Sequence, residues 1–115
     1  MLSDFRDCKV FLALGVTDLR KSIDGLSQLV CTQLKQNPLS GHLFVFCNRR
    51  RDRLKVLYWD QNGYSLWLKR LEEEQFCWPE TKGDIKAITS KEFGWLLSGL
   101  DFQKGFSDKS YEYSF

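Results

Sequence analysis

The apolar positions change period three times along this chain. Lys9–Leu14, "KVFLAL", is a short bulky apolar run of the kind a buried strand shows, and Gly15 breaks it. Beyond it Leu19, Ile23, Leu26, Val30 and Leu34 recur at spacings of four, three, four and four, one face of a helix that Leu29 widens. Thr17 stands where it can cap that helix. The helix is expected to end near Asn37, because Pro38 disfavours helical backbone in the residue before it.

From His42 onward the pattern shortens to strands. "HLFVFCN", "RLKVLYWD" and "YSLWLKR" follow one another closely enough to form a β-meander. The last two are joined by "DQNG". Asn62-Gly63 suits a two-residue turn, and Asp60 with Gly63 suits a three-residue turn with a bulge. Gly63 is expected at positive φ in either, which would make Gly63→Val destabilising. "FCWP" reads as a short strand stopped by Pro79, and "DIKAI" as another strand. Thr89 and Glu92 have the spacing of a capping box opening a second helix, whose buried face would be Phe93, Leu96, Leu97 and Leu100. The expected class is α+β: a mainly antiparallel sheet with a β-meander core and two helices packed on it, able to cover one face. One domain is expected over residues 1–102, with residues 103–115 as a loosely ordered tail, since no period is sustained there.

Composition narrows the class. With 43% hydrophobic, 15% aromatic and 28% charged residues the chain reads as globular rather than disordered. No apolar run approaches the roughly 18 residues of a membrane span, and "MLSDFRDCKV" lacks the apolar stretch of a secretory signal. A cytoplasmic protein with no membrane partner is the expectation. Cys8, Cys31, Cys47 and Cys77 form no C-x-x-C pair and His42 is the only histidine, so no zinc-ligand spacing is present. All four cysteines adjoin apolar segments and are expected as buried, reduced thiols. No metal and no cofactor is expected.

Net charge is only +2, but it is unevenly placed. Between Asn48 and Arg70 lie Arg49, Arg50, Arg51, Arg53, Lys55, Lys69 and Arg70 against Asp52 and Asp60, a local excess of +5 that leaves −3 for the remainder. The meander brings these cations to one end of the sheet whichever turn joins its last two strands. Arginine's planar, permanently charged fork suits phosphate oxygens, and contacts of that kind position a duplex without reading its sequence. The same residues could instead solubilise a turn or pair with Glu72, Glu73 and Glu74. Tyr58, Trp59, Tyr64 and Trp67 on the same hairpin invite base stacking, although alternation in short strands buries aromatics as a matter of course.

Catalytic patterns are missing. Asp52 and Asp60 flank turns at opposite ends of one strand, about 25 Å apart at strand rise, and cannot share a metal. Asp18 suits the first turn of a helix, and Asp24-Gly25 falls inside it. His42 has no nucleophile and orienting acid at recognisable spacing. "LGVTDLRKS" follows a strand and opens a helix but lacks the glycines and terminal GK[ST] of a phosphate loop, leaving Arg20 and Lys21 available to extend the basic surface.

"TDLRKSIDGLSQLV" and "SGHLFVFCNRRRDRLKVLYWDQNGYSLWLKRLEEEQFCWP" resemble the small accessory protein of the insertion-sequence-66 class of bacterial transposons, the TnpB or second-reading-frame protein, over roughly Val10 to Leu100. The chain departs from the family pattern at Ser22 and Glu74, where relatives often carry glycine. The resemblance implies a non-catalytic protein encoded beside a transposase and needed for movement of the element. It favours DNA as the partner of the arginines, with an interaction module docking on the transposase or its companion proteins as the alternative. It supplies no catalytic residue.

Overall fold

The computed structural model describes residues 8–80 and 82–101. The C-terminal tail expected at 103–115 lies outside them. In chain order the elements are β1 (Val10–Ala13), α1 (Ile23–Thr32), β2 (Leu43–Cys47), β3 (Arg53–Asp60), β4 (Gly63–Arg70), β5 (Ile85–Ile88) and α2 (Ser90–Leu97). The strands form one sheet in the order β4-β3-β2-β1-β5. Only the β1–β2 pair is parallel, because α1 carries the chain back between them; the other three pairs are antiparallel. The class is α+β, as the sequence leads one to expect.

Alternation decides which side chains face which helix. Register places Val10, Leu12, Leu43, Val45, Cys47, Leu54 and Val56 on one face, where Phe93 and Leu96 of α2 join them with Phe76 and Trp78. Ala13, Phe44, Phe46 and Leu57 point the other way and meet Leu26, Val30 and Leu34. The helices therefore cover opposite faces rather than one, and the sheet is the middle of three layers. Every residue of β2 is buried, the consequence of a strand covered on both sides.

Several boundaries differ from the periodic reading. Helix α1 begins at Ile23 after Ser22, not after Thr17. The Thr17 backbone N–H donates instead to the Cys47 carbonyl at 2.9 Å, tying the β1–α1 loop to the end of β2. The helix stops at Thr32, well short of Asn37, and Lys35 takes a left-handed φ of 56°. Leu34 stays buried at the foot of the helix, so the apolar stripe outlasts the helical hydrogen bonding. "FCWP" is not a strand: residues 71–80 cross the face as irregular chain, held by Phe76 N–H to the Arg51 carbonyl. "DIKAI" supplies β5, an edge strand against β1.

The β3–β4 hairpin uses neither turn that the sequence suggests. Asp60 pairs with Gly63, so Gln61 and Asn62 are the two loop residues. The left-handed conformation falls on Gln61, at φ 56°, and the Asn62 N–H donates back to the Asp60 carbonyl in the manner of a γ-turn. Gly63 is not at positive φ, and a Cβ there would meet no atom within 4 Å. The expected destabilisation by Gly63→Val accordingly has no basis in this turn.

Candidate nucleic-acid interface

The arginines lie on the connection between β2 and β3, and Asn48 organises it. Its Oδ1 accepts the backbone N–H groups of Asp52 and Arg53, each at 3.1 Å, while its Nδ2 donates to Asp52 Oδ1 at 2.7 Å. Arg51 N–H donates to the Asn48 carbonyl at 3.1 Å, and Arg51 itself takes a φ of 59°. A short amide side chain that satisfies backbone donors a few residues on is what lets a chain reverse tightly. The loop is also gripped from outside: Leu71 N–H donates to the Asp52 carbonyl, and Gln75 Nε2 to the Arg50 carbonyl at 2.7 Å. The Asn48 hydrogen bond, and after it the charges of Arg50 and Arg53, hold the Asp52 carboxyl below the usual carboxylate range. Charge-based reasoning from the sequence passes over Asn48; an Asn opening a loop between two strands is the signal that could have found it.

The seven cations do not act as one group. Arg53, Lys55 and Arg70 share the α1 face of the sheet, since Arg53 pairs with Arg70 and Lys55 with Leu68. Lys69, opposite Leu54, faces α2, where its Nζ donates to the Leu97 carbonyl at 2.7 Å and closes the C-terminal end of that helix. Arg51 pairs with Glu80 at 2.8 Å and Arg70 with Glu72 at 2.8 Å. Lys55 Nζ donates to the Lys21 carbonyl at 3.0 Å. Arg49, Arg50 and Arg53 form no ion pair with any described residue and are exposed. So the structure concentrates uncommitted positive charge on three of the seven, and turns Lys69 away from them.

Facing these three is the β1–α1 loop. Two open depressions meet there, one of 530 Å³ lined by Val16–Arg20 and Asn48–Arg50, the other of 380 Å³ lined by Asp18, Leu19, Arg20, Asn48, Arg53, Lys55 and Leu68. Arg20 lines both depressions as well, but its charge is matched by Asp18. Its guanidinium grips Asp18 with both Nε and Nη2, the shortest contact being 2.7 Å, and this hydrogen bonding holds the Asp18 carboxyl well below the usual carboxylate range. Asp18 therefore belongs to the loop and not to the first helical turn.

The aromatics are elsewhere. Trp59 and Tyr64 pack edge to face at 5.1 Å beside the hairpin turn, about 20 Å along β3 from Arg53 at strand rise. Tyr58 is buried and Trp67 packs against the α2-side core. None lines the basic depressions. His42 Nδ1 accepts the Lys9 backbone N–H at 3.1 Å, a structural bond where β2 begins beside β1. Among the described residues no three His, Cys, Asp or Glu side chains are grouped to hold a metal. The thiols sit at different depths. Cys47 is fully buried and desolvation pushes its thiol up to about 12, Cys8 and Cys77 are half-buried, and Cys31 is exposed on α1, against the expectation that all four are buried. No helix of the described residues is long and apolar enough to cross a membrane.

Residues 8–106 match the family described as IS66 Orf2 like protein. Two proteins of Sinorhizobium fredii are similar along nearly their whole length. The uncharacterized protein y4hO is 40% identical over 103 residues, 90% of each chain. The uncharacterized protein y4jC is 35% identical over 104 residues, 90% of this chain and 89% of that one. No solved structure matches.

Proposed function

Because this chain belongs to the IS66 Orf2-like family of transposition-associated accessory proteins, we propose that it serves transposition without catalysing a step, by holding DNA through phosphate contacts from the β2–β3 turn. The observation that carries this reading is the trio Arg49, Arg50 and Arg53: exposed, outside any described ion pair, and mounted on a loop fixed by Asn48 at the end of a rigid sheet. Backbone contacts need positive charge at a defined position and no base-reading geometry. The scattered carboxylates support the non-catalytic part. Asp18 is committed to Arg20, Asp52 to Asn48, and Asp60 sits at the far end of β3.

A mobility-shift or anisotropy titration across salt tests the reading. Replacing Arg49, Arg50 and Arg53 together with Ala should leave the fold intact, since exposed side chains away from the core carry little stability. Affinity should fall by a similar factor for every DNA sequence. The slope of log affinity against log salt should shallow by about 0.9 for each duplex phosphate that is no longer neutralised. Unchanged DNA binding would end this reading.

A second reading is docking on the transposase or its companion proteins. The observation favouring it is β4, eight residues long and unpaired along its outer edge among the described strands, with Leu68 exposed. Loss of transposase co-purification in the arginine variant, with DNA binding retained, would transfer the arginines to that role.

A further inference from the structure

We infer that the cleft between the β1–α1 loop and the arginine turn receives an unpaired nucleotide, so that this protein prefers single-stranded or melted DNA to intact duplex. The inference rests on the reading of the arginines as phosphate contacts and specifies which form of DNA they serve. A surface made only to grip a duplex backbone needs cations and polar groups, because the duplex presents phosphates and sugars outward and keeps its base faces stacked inside. This cleft has more. Val16 is 56% exposed and Leu68 is 54% exposed, two of the three large hydrophobic side chains left open to solvent among the described residues, and both line it. Leu19 lies between them, lining both depressions.

The apolar side chains stand next to the cations. Leu68 is the cross-strand neighbour of Lys55, one pair along the same sheet face from Arg53. Val16 shares its depression with Arg49 and Arg50. The two depressions, 530 and 380 Å³, fall in the range of roughly 300–1,000 Å³ that small-ligand sites occupy, the size for one nucleotide with its phosphate. An unpaired base has an exposed face that gains by covering apolar surface, while its phosphate remains within reach of the arginine fork. Asp18, the acid that lines both depressions, is already neutralised by Arg20 and does not repel the strand. The loop is held in place: Thr17 N–H bonds the Cys47 carbonyl, and Lys55 Nζ bonds the Lys21 carbonyl. Preformed walls of this kind avoid the ordering cost of binding.

The test compares anisotropy titrations of one labelled strand of about 20 nucleotides, alone and as a blunt duplex, at equal low salt. The wild-type protein should bind the single strand about tenfold more tightly, the order expected when a base covers part of two exposed aliphatic side chains. The double variant Val16→Ser, Leu68→Ser, confirmed folded by circular dichroism, should lose about that factor on the single strand while its duplex affinity and salt slope stay unchanged. The wild-type ratio requires no variant and decides the matter even if the variant fails to fold. Equal affinity for both forms, with the arginine variant still weakened, would overturn this inference and leave the phosphate reading standing. Absence of binding to either form by the wild type would overturn both.

Discussion

At the scale of single residues, backbone conformation and side-chain hydrogen bonds do more than charge. Asn48 satisfies two backbone N–H groups and shapes the turn on which the arginines sit. Asn48→Ala leaves those donors without their acceptor and should destabilise the protein by about 1–2 kcal/mol, read as a lower urea midpoint at unchanged m-value. Its DNA affinity should fall as well, although no charge is removed, because the arginines are no longer held in fixed positions. Gln61 offers the opposite test. A non-glycine residue at φ 56° carries strain that glycine would not, so Gln61→Gly should stabilise by about 0.5–1 kcal/mol. Gly63→Ala, with nothing within 4 Å of the new Cβ, should incur no steric penalty. A denaturation series on the two variants distinguishes this hairpin from one with glycine in its turn.

At the scale of elements, the second helix is the more legible in the sequence. The capping box is formed as its spacing implies: Thr89 Oγ1 accepts the Glu92 N–H at 3.0 Å, and Glu92 Oε1 accepts the Thr89 N–H at 2.9 Å. Thr89→Ala should cost about 1 kcal/mol in thermal or urea unfolding. Periodicity overextends helix α1 at both ends because hydrophobic spacing reports which residues are buried, not which are hydrogen-bonded as helix. Leu19 and Leu34 both pack on the core from outside the helix proper. The three middle strands are legible because each combines a dense apolar run with a polar connection. The turn between β3 and β4 is not, since "DQNG" allows several pairings whose energies differ by little, and tertiary packing of the flanking strands selects one.

At the scale of the whole molecule, the sheet separates two cores. Leu26 belongs to one and Leu96 to the other, and both are fully buried. Leu26→Ala and Leu96→Ala should each cost about 2–5 kcal/mol. Because no shared side-chain cluster links them, the double variant should show the sum within about 0.5 kcal/mol. A clear departure from additivity would mean that the two layers communicate through the sheet.

The sequence by itself determined the number and kind of elements, apart from the "FCWP" strand, together with the α+β class, the family resemblance, and the gathering of cations at one end of the meander. These follow from local period, capping chemistry and chain connectivity, which need no knowledge of distant contacts. Tertiary structure alone decided that the helices lie on opposite faces. An apolar stripe says that a helix must be covered but not by which side of a sheet, and although a parallel β1–α1–β2 crossover prefers one hand, nothing in the sequence ties β5–α2 to the same or the opposite face. It likewise decided which of seven cations stay uncommitted. That outcome depends on strand register, which turns Lys69 toward Leu97, and on long-range neighbours such as Glu80 for Arg51. The cleft itself is assembled from residues far apart in the chain, Val16 and Leu68 among them, and exists only once strands β1 to β4 have fixed two loops side by side.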